Sequence, residues 1–224
     1  MNDRMLVRFT RGERLFHWLN FITFAVLAVT GTFLYVPWRP YAAGEAGETS
    51  RYLHRLAAIV FMATPIVTMV LSRGKGFLGD LREAFTWRGE DLRALGVLVT
   101  RTYWTADQRG LPPQGKFTAG QKLHIVLQNL AFLVAAVTGI ILWFGAGRFT
   151  LGVFRWSVIL HGMSAMVMTC FVVVHIYMTT LMPITNQAIA AMVLGTVSEE
   201  HARRNHPRWY ARLRGGPAPP GAAG

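Results

Sequence analysis

The chain has 224 residues, 52% of them hydrophobic and only 15% charged, with a net charge of +12. Soluble domains average about a quarter charged residues, and here charge is missing altogether from Leu15 to Trp38, Leu56 to Ser72, Leu123 to Gly147 and Trp156 to Met182. A soluble fold is thereby excluded, because four buried helices of that length would leave too little polar chain to cover them.

Each stretch suits a transmembrane helix, which needs roughly 20 apolar residues to cross a hydrocarbon core of about 30 Å. The second is the shortest and reaches full length by extending back to Tyr52. Residues 1–14 read as a basic inner-surface segment. The first helix is expected over 15–37, retained rather than cleaved. It is too long for the apolar region of a signal peptide, and no A-x-A-type site follows. A short outer loop with Gly44, Gly47 and a cap at Thr49 or Ser50 leads to the second helix, 51–72, which Pro65 is expected to bend. Residues 73–119 form an inner connection. It holds two amphipathic pieces near 77–86 and 90–101, lying on the membrane or on a partner, and a loop from Asp107 to Gly115. The third helix, 120–145, is ended by Gly145-Ala-Gly147. The fourth, 153–182, stops at Pro183. Residues 184–214 form a C-terminal segment with a shorter helix at 185–200. Residues 215–224, mostly Gly, Ala and Pro, are expected to be disordered. No internal repeat is visible. Trp38, Trp143 and Trp156 fall at the outer boundary and Trp18 at the inner one, as an aromatic belt would.

The position of the charge argues against nucleic acid and sets the orientation. The N-terminal segment, the inner connection up to Lys122, and the tail hold 18 of the 23 basic residues. Basic loops stay cytoplasmic, so both termini and the long connection are inside. An even number of spans requires the same of the termini. The expected fold is therefore an all-α integral membrane protein, a four-transmembrane-helix bundle with both termini cytoplasmic and short interfacial helices. The single cysteine, Cys170, supports neither an internal disulfide nor a zinc or iron–sulfur site, and it leaves the compartment unread.

Ionisable residues inside membrane helices are costly and mark function. Here they are histidines: His17, His54, His124, His161 and His175. The apolar runs hold no carboxylate or cation, which disfavours a proton pump, ion carrier or channel. His161 and His175 are 14 residues apart, four helical turns less about 40°, so they share a face about 21 Å apart along the axis. Depth then pairs His54 with His161 on the outer side and His17 with His175 on the inner side. Two facing imidazole pairs stacked along the membrane normal suit two b-type haems, since neutral imidazole is an axial ligand for haem iron and a bundle core is where such cofactors sit. Any one histidine alone reads more readily as an interface residue; the stacked pattern carries the haem reading. His124 is left over, either structural or part of a quinone pocket. His201 and His206, in the polar tail, are expected to be solvated.

The run Gly115-Lys116-Phe117-Thr118-Ala119-Gly120-Gln121-Lys122 opens the third helix. It reads equally as a turn with a helix start, or as a polar edge offering amides, Gln121 and Lys122 to a quinone. Arg11 and Arg14 flank His17, and Arg51 and Arg55 flank His54. Positive-inside charge accounts for the first two, whereas pairing with haem propionates is an open reading for the outer two.

In Arg14-Leu-Phe-His17-Trp18, Tyr52-Leu-His54-Arg55, the 115–122 run, His161-Gly162, His175-Ile-Tyr177 and Met192-Val-Leu-Gly-Thr-Val-Ser-Glu-Glu200, the chain resembles the gamma, or cytochrome b, subunit of respiratory membrane-bound formate dehydrogenase. The likeness covers about residues 8–212. The histidine pattern is shared more broadly with the cytochromes b of nickel–iron hydrogenases. The resemblance implies two haems b on the pairs His17/His175 and His54/His161. It also implies menaquinone or ubiquinone reduction beside the inner haem, lined by Thr118, Gly120, Gln121, Lys122 and His175. It implies an iron–sulfur beta subunit as electron donor and a molybdenum or tungsten alpha subunit that oxidises formate, so formate turnover lies outside this chain. It implies residence in the bacterial cytoplasmic (inner) membrane. Family members often carry Asn where this chain has Thr118, whose hydroxyl reaches less far. The rival readings are a cytochrome b serving a hydrogenase or another quinone-linked oxidoreductase, and a cofactor-free anchor.

Overall fold

A computed structural model describes residues 4–35, 43–72, 76–182 and 187–215. Among them four helices are long and apolar enough to cross a membrane. These are α1 (Arg11–Leu34), α2 (Glu45–Leu71), α5 (Ala119–Phe144) and α6 (Leu151–Thr180). Between α2 and α5 lie the short α3 (Phe77–Phe85) and α4 (Gly89–Val97), which continues through a π turn at Leu98–Thr102. After α6 come α7 (Gln187–Leu194), α8 (Glu199–Asn205) and α9 (Pro207–Leu213). The expected helix ends at residues 37 and 183 lie outside the described residues, as do Trp38, Arg39, Arg73, Lys75 and the tail 216–224.

Two features depart from the sequence reading. The α2 helix starts at Glu45, after Gly44 in extended backbone, so Thr49 and Ser50 are internal rather than caps. Glu45 and Glu48 in its first turn favour the earlier start, because carboxylates stabilise the positive end of a helix dipole. The second is a small antiparallel ribbon, whose strand at 196–198 interrupts the helix expected over 185–200. Strand β1 (Met5–Val7) pairs with β2 (Thr196–Ser198), Leu6 opposite Val197. Three-residue strands carry no readable periodicity. Gly195, at φ 89°, ends α7 in the left-handed region, and its carbonyl accepts from the amides of Arg8 and Phe9 at 2.8 and 3.1 Å.

The chain divides into two compact units. One lies within Gly12–Phe77 and Leu130–Thr169 and is here called the apolar unit. Apart from Phe24 and Met168, its buried positions are mostly small or hydroxylated, among them Thr23, Thr30, Ser50, Ala57, Thr64, Ala131, Thr138, Ser157 and Ser164. Small residues let membrane helices approach closely. Thr23 bonds the Leu19 carbonyl of its own helix at 2.7 Å and Thr64 the Val60 carbonyl at 2.6 Å, which satisfies these hydroxyls without a partner from another segment. Phe61 packs against Phe24 and Phe132, with ring centres 6.2 and 5.3 Å away. Ile22, Val29, Ile66, Val137 and Met163 face outward, apolar side to lipid.

The other unit, here the network unit, lies within Met1–Arg11, Leu78–Asn129 and Cys170–Gly224. It has a conventional core of Phe9, Ala191, Val197, Ala202 and Trp209. Ion pairs tie α3 and α4 to later segments: Lys116 to Asp80 at 2.7 Å, Lys122 to Asp91 at 3.0 Å, Arg212 to Glu83 at 2.8 Å, and Arg208 to Glu90.

Candidate functional site

The apolar unit brings His54 of α2 and His161 of α6 face to edge, with ring centres 6.2 Å apart. The orientation of each ring follows from a short chain of hydrogen bonds. Thr30 donates its hydroxyl to the Val26 carbonyl at 2.6 Å, so its oxygen is free to accept from His54 Nδ1–H at 2.9 Å. Thr138 donates to the Val134 carbonyl at 2.6 Å and accepts from His161 Nδ1–H at 3.1 Å. The Ala135 carbonyl, which can only accept, also lies 3.0 Å from His161 Nδ1. Both Nδ1 atoms therefore carry the proton, and both Nε2 atoms keep their lone pairs for a ligand.

The pair fits a shared metal. Two imidazoles bound to one ion through bonds of about 2.0–2.1 Å, with each ring centre about 1 Å behind its nitrogen, place their centres roughly 6.3 Å apart. Among the described residues no group of three or more His, Cys, Asp or Glu is gathered to hold an ion. Two imidazoles alone leave most of a coordination sphere to be supplied by something else.

The other predicted ligands fall in both units. His17, in the apolar unit, sits with its ring centre 5.4 Å from that of Trp18. His175, in the network unit, is stacked on His124 at 4.7 Å and 14°. The sequence reading left His124 over; the depth it assigned to His124, the same as that of His175, was the signal that could have joined them. Arg55, one of the two outer arginines, lies over the Trp143 ring at 5.4 Å.

The 115–122 turn is tightly specified by its neighbours. Thr118 and Gln121 form a reciprocal capping box at the start of α5: the Thr118 amide donates to Gln121 Oε1 at 3.0 Å, and the Gln121 amide to Thr118 Oγ1 at 3.3 Å. A Cβ on Gly120 would stand 2.3 Å from the Tyr103 hydroxyl, and one on Gly115 2.3 Å from Glu83 Oε1, so either would have to displace that side chain. Lys122, buried, gives its ammonium to Asp91 and to the Thr86 carbonyl at 3.1 Å. Arg8 donates to the Lys116 carbonyl at 2.9 Å.

His201 and His206, expected to be solvated, are buried. His206 donates Nδ1–H to the Gly115 carbonyl at 2.8 Å, a contact between residues 91 positions apart that no local pattern announces. With Arg8, Tyr103, Gln114, Thr118 and Gln121 they line a small cavity of about 50 Å³. That volume suits a few waters, each needing roughly 10–15 Å³, and is too small for a quinone ring. Burial pushes His201 down to about 4, with the nearby Arg8 charge adding to it. Burial holds His206 well below the usual histidine range, followed by Arg8, against the opposing bond to Gly115. Burial also lowers Arg8 to about 10, against the attraction of Asp80, and one of its buried nitrogens, Nε, has no protein partner.

Fold and site together define a multispan membrane protein with a facing histidine pair held between helices. Residues 8–195 match the prokaryotic cytochrome b561 family, and the chain belongs to that family. Its relatives include the formate dehydrogenase cytochrome b556(fdo) subunit of Escherichia coli K12, 27% identical over 214 residues that cover 93% of each chain. The formate dehydrogenase cytochrome b556 subunit of Haemophilus influenzae is 28% identical over 216 residues, covering 93% of this chain and 84% of the relative. The F420 non-reducing hydrogenase II cytochrome subunit of Methanosarcina mazei is 26% identical over 173 residues, covering 70% of this chain and 63% of the relative.

Proposed function

We propose that this chain is the di-haem cytochrome b subunit of a formate dehydrogenase-type complex, anchoring it in the bacterial cytoplasmic membrane and carrying electrons to quinone. The observation that carries the reading is the facing pair His54 and His161, whose Nδ1 protons are taken by Thr30 and Thr138. These residues would hold the outer haem, and His17 and His175 the inner one, as the depth of each histidine in its span suggests. Haem held there would supply one-electron transfer. The protein excludes water with its apolar helices and fixes both ligands of the outer pair. The termini and the 73–119 connection lie in the cytoplasm on the charge argument, with α3 and α4 at the membrane surface.

Quinone would be reduced beside the inner haem, at the edge formed by Thr118, Gly120 and Gln121 and near His175. Lys122 holds the start of α5 in place through Asp91. Reduction consumes two protons per quinone, which would be drawn from the cytoplasmic side. Donor electrons would come from an iron–sulfur subunit, itself fed by a molybdenum or tungsten subunit that oxidises formate. A hydrogenase-type donor is the second reading, supported by the likeness to the Methanosarcina mazei hydrogenase subunit, which spans less of both chains.

The deciding experiment is a dithionite-reduced minus oxidised spectrum of the purified protein, with haem counted by pyridine haemochrome. Two low-spin b haems per chain are expected. Folded protein without haem would leave only a cofactor-free anchor. Subunits that co-purify in native detergent extracts separate the formate dehydrogenase from the hydrogenase partner.

A further inference from the structure

The two ligands of the outer site are held by the same device used twice. On α1, Leu27, Thr30 and Gly31 face His54; on α5, Ala135, Thr138 and Gly139 face His161. The two triplets are offset by the same 108 positions. In each, the threonine hydroxyl donates to the carbonyl four residues earlier and accepts from the histidine Nδ1–H. At His161 the Ala135 carbonyl, three residues before the threonine, is a second partner of the ring, 3.0 Å from Nδ1. In each, the following glycine makes room: a Cβ on Gly31 would lie 3.3 Å from His54 Cε1, and one on Gly139 3.2 Å from His161 Cε1.

We propose that Thr30-Gly31 and Thr138-Gly139 are a duplicated positioning cradle, in which each threonine fixes the tautomer and aim of one imidazole and each glycine lets the ring seat. This rests on the reading of His54 and His161 as haem ligands. A partner that accepts from Nδ1–H makes the imidazole a stronger donor to the metal and sets its orientation. A stronger donor favours the ferric state, so the cradle lowers the reduction potential of the site it serves. Because both ligands are treated alike, loss of either threonine acts in the same direction and by a similar amount.

The test is potentiometric titration and low-temperature EPR of the purified protein, comparing Thr30→Val, Thr138→Val and the corresponding Thr→Ser variants. Each valine variant is expected to shift the reduction equilibrium of the outer haem alone by about tenfold toward the ferrous form, which is about 59 mV for a one-electron couple. Serine, which keeps the hydroxyl, restores the wild-type value. A shift below twofold in both valine variants at unchanged haem content overturns the cradle while leaving the haem reading intact. Absence of haem from folded wild-type protein overturns both. Should the valine variants not accumulate, Gly31→Ala and Gly139→Ala provide the check. Each is expected to keep two haems and change the low-spin g values of one, and unchanged g values in both overturn the proposal.

Discussion

The apolar unit and the network unit solve the same problem, where to put polar groups, in opposite ways. In the apolar unit a buried hydroxyl turns back to its own helix, as Thr64 does to Val60. No partner is needed from elsewhere, and a few polar atoms are left over for a cofactor. In the network unit several polar groups depend on a distant segment instead: Lys122 on Asp91, Lys116 on Asp80, His206 on Gly115. A helix surrounded by hydrocarbon must be self-sufficient, whereas a polar surface segment can trade bonds across the chain. The lesson is that the first kind of unit tolerates local change outside its histidines, and the second does not.

The largest effect should come from removing a ligand in the self-sufficient unit. His161→Ala is expected to lower the haem count from two to one per chain, with the protein still folded by circular dichroism. Loss of both haems would show the two sites to be coupled. Next is Lys122→Met, which strands Asp91 as a buried, unpaired carboxylate at a cost of about 3–5 kcal/mol. Denaturant unfolding in detergent should show this loss, and the double variant Lys122→Met, Asp91→Leu should recover most of it. The outer-haem spectrum is expected to survive in the single variant, which would sharpen the contrast between the units. Gly120→Ala, which places a methyl against the Tyr103 hydroxyl, should cost about 1–3 kcal/mol by overpacking. Tyr103→Phe in the same chain should relieve it.

Acid should act on the network unit first. His201 and His206 are held neutral by burial and by Arg8, with folded values below the ordinary 6.5. Below 6.5 the unfolded state therefore binds more protons than the folded one, and stability falls as pH drops from there toward about 4, the folded value of His201. Above 6.5 neither residue contributes a slope. Trp209 fluorescence, reporting on the cluster beside these histidines, is expected to change over that window, and His206→Gln should blunt the change. The smallest effect is Ser198→Ala. It removes the hydroxyl that caps α8 by accepting from the His201 amide at 3.2 Å, for about 1 kcal/mol. Hydrogen exchange at residues 199–205 would report it.

How much of this could be read beforehand varies along the chain. The four spans were legible because hydrocarbon imposes a length and a composition on any helix that crosses it, and the observed helices overlap the expected ones throughout. His54 and His161 were paired from depth alone, and the structure brings them within 6.2 Å. The Thr-Gly cradle was printed twice in the sequence, yet no repeat was seen there. Two residues per helix fall below any periodic signal, and their role exists only against a ring on another helix. The 115–122 turn was equally divided between helix start and binding edge. The capping box and the contacts to Glu83, Tyr103 and Asp91 now account for Gly115, Thr118, Gly120, Gln121 and Lys122 structurally, beside any contact to quinone. The tail misled: its charge suggested solvent, whereas Phe9, Val197 and Trp209 draw it into a core.

What the sequence determined by itself is what the solvent dictates locally: the number of apolar spans, their outward surfaces, and the position of each histidine along its helix, since rise per residue and the cost of charge in lipid act along one helix at a time. Only the tertiary structure decided which Nδ1 meets which hydroxyl, that Lys122 belongs to Asp91, and that His206 is buried against Gly115. Those depend on directional bonds between segments far apart in the chain, and neither composition nor periodicity carries a direction.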